Sequence, residues 1–129
     1  MKVLNFEDSV YKANAIRKVL NQCGVAKIEL VSNDEDGLQM LKNAEDTGGP
    51  FDLIITDMHY PMKQGAVSDT EAGEKLVQLL QEQGKQTKVI VCSSRNMKLP
   101  GVYGCIWYSE ISDWEEELCD LVREMEKNR

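Results

Sequence analysis

The hydrophobic period of this chain changes repeatedly along its length, with short apolar runs alternating with stretches whose apolar residues recur every three or four positions. Strands and helices following one another produce that pattern. It narrows the fold to an α/β parallel sheet covered on both faces and joined by right-handed crossovers. The first strand is expected over about residues 2–6. A helix over 9–22 follows, with Ala13, Ile16, Val19, Leu20 and Cys23 on one face and Gly24 placed to end it in a left-handed cap. The second strand falls at about 27–31. Asn33 is set to cap the next helix, where Leu38, Leu41 and Ala44 share a stripe and Gly48-Gly49-Pro50 forms a stop.

The third strand, 53–56, is apolar on both faces, as a central parallel strand should be. An unusual loop, 59–69, comes after it and contains Pro61 and Gly65. Ala72, Leu76, Leu79 and Leu80 then mark a helix ending near Gly84, and Val89-Ile90-Val91-Cys92 reads as a fourth strand. The segment 93–101 has little helical pattern, and the fifth strand is expected over 103–108. In the last helix Ser112 and Glu115 have the spacing of a capping box. Trp114, Leu118, Leu121, Val122 and Met125 form one face of that helix, opposite a strongly acidic one.

At 129 residues the chain is expected to form a single domain, 1–129, with a full hydrophobic core. The formal charge of −7 argues against a general nucleic-acid binder. No apolar stretch is long enough for a bilayer-spanning helix, and the N-terminus lacks the charged and apolar regions of a signal peptide. Cys23, Cys92, Cys105 and Cys119 show no Cys-x-x-Cys pairing, and the single histidine makes a structural zinc site improbable. Reduced thiols in a cytoplasmic protein are the expectation.

Asp57 ends the third apolar run and Glu7-Asp8 ends the first. Carboxylates at the ends of two buried strands are costly unless something cationic shares them, so these three point to a divalent metal, a phosphoryl group, or both. In open α/β sheets ligands bind beyond the carboxyl ends of the strands, where the strand order reverses. With the order 2-1-3-4-5, that point lies between the strands ending at Phe6 and Thr56, and both acidic sites face one crevice.

Together these residues resemble the receiver domain of bacterial response regulators (the CheY-like family), whose fold is flavodoxin-like, and the match covers nearly the whole chain. Glu7-Asp8 stands at that family's metal-binding acidic pair. Asp57, in Asp57-Met58-His59-Tyr60-Pro61, stands at its phosphorylated aspartate, and Ser93 at the hydroxyl residue that contacts the phosphoryl group. The resemblance implies Mg²⁺ held by Glu7 and Asp8, directly or through water, with Asp57 and the backbone carbonyl of His59. An aspartate can attack a phosphoryl donor and form an acyl phosphate. A histidine kinase or phosphotransfer protein is the implied partner, and a downstream protein the implied target.

Three departures mark the chain as atypical. Tyr108 stands at the family's lysine and brings no positive charge at neutral pH. Arg95 and Lys63 are the candidate substitutes. The loop from Asp57 to Gly73 is long, and only fifteen positions separate Ser93 from Tyr108, so the fourth helix should be shortened or missing. The expectation is a stand-alone receiver that signals by protein contact and is not an enzyme. One rival is a pseudo-receiver that binds partners without phosphoryl chemistry. Another is an aspartate-nucleophile phosphatase, whose Asp-x-Asp pattern Glu7-Asp8-Ser9 does not match.

Overall fold

The computed structural model describes residues 1–128. Five parallel strands form the sheet: β1 (Lys2–Phe6), β2 (Lys27–Val31), β3 (Leu53–Thr56), β6 (Lys88–Ser93) and β7 (Gly104–Trp107). A hairpin adds β4 (Tyr60–Pro61) and β5 (Ser68–Asp69), and the helices are α1 (Val10–Gln22), α2 (Asp34–Asp46), α3 (Ala72–Glu82) and α4 (Trp114–Lys127). The sheet order is β2-β1-β3-β6-β7, the doubly wound flavodoxin-like arrangement expected from the sequence. Strand order reverses beside β1, which pairs β2 in the register Phe6↔Val31 and β3 in the register Phe6↔Thr56.

Alternation along the strands divides the core in two. Val3, Leu53, Ile55, Ile90, Cys92 and Ile106 face α1 and α4, meeting Ile16, Leu20, Trp114, Leu118 and Val122. Leu4, Phe6, Ile54 and Val89 face α2 and α3, meeting Ala44, Leu76, Val77 and Leu80. The central strand β3 is buried along its whole length, whereas β2, at the sheet edge, exposes Lys27, Glu29 and Leu30.

Helix boundaries follow local chemistry. Ser9 caps α1, its hydroxyl accepting from the Lys12 N–H at 3.4 Å, and Gly24 closes the other end at φ +89°. Asn33 caps α2 by accepting from the Asp36 N–H at 2.9 Å. The capping box expected for the last helix does not form. Asp113 is the N-cap residue and makes no side-chain cap bond, while Ser112 Oγ donates to the carbonyl of Trp107 at 2.6 Å. That bond draws the hydroxyl back toward the end of β7 and away from the helix it was expected to cap.

The two irregular segments differ. The loop 59–69 folds into the β4–β5 hairpin, with Tyr60 opposite Asp69, and is tied to α2 by the Glu35 N–H donating to Met62 O at 2.8 Å. Its two short strands carry no alternating apolar pattern, so periodicity could not reveal them. The connection from β6 to β7 contains no helix, in agreement with the sequence.

The cysteines require a correction. Cys23, at the end of α1, and Cys119, within α4, form a disulfide with a Cα–Cα distance of 5.7 Å, leaving Cys92 and Cys105 free. The two bonded cysteines lie 96 positions apart, and only the packing of α1 against α4 brings them together. No helix among the described residues is long and apolar enough to cross a membrane.

Candidate functional site

Two backbone hydrogen bonds beyond the ladder build the site at the carboxyl ends of β1 and β3. The Glu7 N–H donates to Val31 O at 2.9 Å, and the Asp57 N–H donates to Phe6 O at 3.1 Å. They carry the strand pairing one residue past each strand end and place the acids side by side. Carboxylate oxygens of Glu7, Asp8 and Asp57 lie within 4.8 Å of one another. Local bonds orient them further: the Met58 N–H donates to Asp57 Oδ1 at 2.7 Å, and the Ser9 N–H donates to Glu7 Oε2 at 3.1 Å. Helix α3 starts close behind Asp57 and Met58. Gly73 donates its N–H to Met58 O at 3.1 Å, and a Cβ at that position would overlap the carbonyl oxygen of Asp57.

The cation of this cluster comes from a residue that the sequence reading did not single out. Lys12 is only 6 % exposed, and its Nζ lies 3.0 Å from Glu7 Oε1, 3.3 Å from Asp57 Oδ1 and 2.5 Å from the carbonyl of Cys92. Arg95 and Lys63, the two candidate substitutes, are both on the exposed surface. Helix geometry explains the choice. Side chains on a helix lean toward its N-terminus, and α1 begins where β1 ends, so a lysine in its first turn points back at the strand ends. The signal was present in the spacing, because Lys12 lies one helical turn before Ile16 and so extends the buried stripe of α1.

Tyr108, at the position expected to hold a lysine, forms the wall beside this ammonium. Its ring centroid lies 5.4 Å from Lys12 Nζ and 4.9 Å from the ring centroid of Trp114. Its backbone N–H donates to Ser93 O at 2.7 Å. Ser93 is buried at the end of β6, with its hydroxyl accepting from the Arg95 N–H at 3.1 Å. His59 follows the cluster in the chain, but its imidazole is not part of it. Its Nε2 is shielded from solvent and has no hydrogen-bond partner. Asn5 is buried in β1, and its Oδ1 has no hydrogen-bond partner.

The electrostatics follow from burial. Desolvation pushes the Glu7 carboxyl above its ordinary range; Lys12 counters the shift and the Asp57 charge adds to it. Burial works against the charged form of Lys12. It is outweighed by the electrostatic pull of Cys92, Glu7 and Asp57, which holds the ammonium above its ordinary value. Burial pushes the Cys92 thiol up to about 12, and the Cys92 carbonyl separately accepts a hydrogen bond from Lys12 Nζ. Three carboxylates against one ammonium leave the cluster two negative charges in excess. Although it is close to Lys12 Nζ, the buried Glu7 Oε1 accepts no properly angled hydrogen bond. An oxygen-rich cluster with that excess charge fits a hard divalent cation.

No family model matches the sequence, and no curated protein does. Solved structures do match. The receiver domain of the Francisella response regulator 1452 superposes with a TM-score of 0.72 at 17% identity, covering 99% of this chain and 98% of that one. The chemotaxis response regulator CheY4 of Vibrio cholerae gives 0.66 at 20% identity, covering 96% and 97%. The Mn²⁺-bound form of response regulator Rcp1 gives 0.65 at 18% identity, covering 97% and 91%. The chain therefore has the fold of response-regulator receiver domains, with the acidic cluster at the carboxyl ends of the central strands.

Proposed function

We propose that this chain is a receiver-type signalling domain that accepts a phosphoryl group on Asp57 and signals through protein–protein contact. The observation that carries the reading is the convergence of Glu7, Asp8 and Asp57 at the point where strand order reverses, in a receiver fold. Mg²⁺ would be held by these carboxylates, with the backbone carbonyl of His59 as a further ligand, and would supply charge neutralisation toward the phosphoryl oxygens. The metal in the Rcp1 structure supports a metal-binding role for this fold.

The chain's own residues account for the transfer. A lone pair on the Asp57 carboxylate forms a bond to phosphorus, the bond from phosphorus to the leaving group breaks, and the leaving group departs with that electron pair. The Met58 N–H fixes Asp57 Oδ1 and so aims the carboxylate. Ser93, at the end of the neighbouring β6, would donate its hydroxyl to a phosphoryl oxygen. It can do so while still accepting the Arg95 N–H, and that bond would couple the phosphorylated state to the loop after β6. The donor would be a histidine kinase or phosphotransfer protein. In this reading the chain modifies itself and turns over no other substrate.

Incubation with acetyl phosphate and Mg²⁺, followed by intact mass, should show one added phosphoryl group that is absent in Asp57→Asn. No adduct, or an equal adduct on the Asn variant, would contradict the reading. A second reading, a pseudo-receiver binding module, is favoured by Lys12, which partly neutralises Glu7 and Asp57 without a metal. Absence of any adduct together with unaltered fluorescence of Trp107 on Mg²⁺ titration would favour this alternative.

A further inference from the structure

We propose that Lys12 is the phosphoryl-site cation of this protein, delivered from the first turn of α1 and steered by the ring of Tyr108. The proposal rests on the reading of Asp57 as phosphoacceptor and extends it to a residue outside the strand ends.

Three observations carry it. First, Lys12 Nζ touches the reacting group directly, at 3.3 Å from Asp57 Oδ1. Second, its place is built by the fold. The stem is buried along the α1–sheet interface, the Cys92 carbonyl accepts from Nζ at 2.5 Å, and the Tyr108 ring closes one side. An ammonium held on a backbone carbonyl is anchored whatever charge the carboxylates carry. Third, the charge balance requires a cation. Even with a divalent ion bound, the three carboxylates leave one negative charge in excess, an incoming phosphoryl group adds its own, and Lys12 supplies the positive charge that offsets it.

The ammonium's role changes during transfer. Before it, Lys12 holds the Asp57 carboxylate in place. As the bond from Asp57 oxygen to phosphorus forms, that carboxylate oxygen loses its negative charge while the phosphoryl oxygens keep theirs. The ammonium, still anchored on Cys92, then turns from the former to the latter. A charge delivered to a developing anion stabilises the transition state more than the ground state. Tyr108 needs no charge in this arrangement. It presents a π face to the ammonium and narrows the directions in which Nζ can swing.

The test is the rate of phosphorylation by acetyl phosphate at saturating Mg²⁺ in four proteins: wild type, Lys12→Met, Tyr108→Lys, and the double variant. Lys12→Met should slow the reaction on the order of 100-fold, the cost of removing one preorganised charge stabiliser. The double variant should recover much of that loss, because a lysine at position 108 starts beside the emptied place. A purely structural role for Lys12 would not give that rescue. A Lys12→Met rate equal to wild type overturns the assignment and leaves Asp57 as acceptor. A wild type that takes no phosphoryl group overturns both. If Lys12→Met does not fold, the side-chain ammonium signal of Lys12 in wild-type protein, followed by NMR, decides. A shift on adding beryllofluoride with Mg²⁺ supports the assignment, and an unchanged signal overturns it.

Discussion

Lys12 shows at the scale of one residue how a buried charge is tolerated. A lone ammonium in a protein interior is costly, and so are the carboxylates of Glu7 and Asp57, so each is tolerated because the others are present. The stability consequence has a sign. Burial already raises the Glu7 carboxyl, and Lys12 is the group that lowers it again. In Lys12→Met the Glu7 value should therefore rise further. A carboxyl raised in the folded state leaves stability intact below its unfolded value, near 4.5, and removes it as pH climbs through the folded value. Lys12→Met should thus lose less stability at pH 4.5, where stranding the Cys92 carbonyl is the main cost, than near pH 8. Near pH 8 the loss should reach about 3–5 kcal/mol, the usual cost of stranding one member of a buried pair. Urea melts of wild type and variant at the two pH values measure it. An equal loss at both would show that Lys12 acts through packing alone.

Among the elements, α1 has the most to do. Its first turn delivers Lys12 to the site and its last residues are fastened to α4 through Cys23–Cys119. The bond closes a loop spanning 96 positions, so its expected contribution is about 2–5 kcal/mol, mainly by restricting the unfolded chain. Reduction should lower the melting temperature by several degrees and leave the secondary structure intact, as read by circular dichroism. Alkylation tests the same assignment of the cysteines. In the native, unreduced protein, label should enter at the half-buried Cys105, while Cys92, buried and with its thiol raised to about 12, stays unmodified until the chain unfolds. Label at Cys23 or Cys119 without reductant would show that the disulfide is absent.

For the whole molecule, the sheet order, the strand positions and the missing helix between β6 and β7 were legible in the sequence, because each rests on a hydrophobic period or on segment length. The acidic cluster was legible for a related reason: Glu7, Asp8 and Asp57 end apolar runs, and the order 2-1-3-4-5 brings those ends together. What escaped depends on long-range contacts: helical spacing puts Lys12 on the buried stripe of α1 but does not show what it meets. Lys12 meets Cys92 across 80 positions and Cys23 meets Cys119 across 96. The β4–β5 hairpin pairs too few residues to alternate, and the Ser112 hydroxyl was drawn away from its cap by a carbonyl of β7. The most direct measurement on the whole account is where the phosphoryl group resides. After treatment with acetyl phosphate and Mg²⁺, borohydride reduction converts an aspartyl phosphate to homoserine, and peptide mass spectrometry locates it. Homoserine at position 57 alone, dependent on Mg²⁺, is the expected result. Homoserine at Asp8 or elsewhere, or an unmodified Asp57, would contradict it.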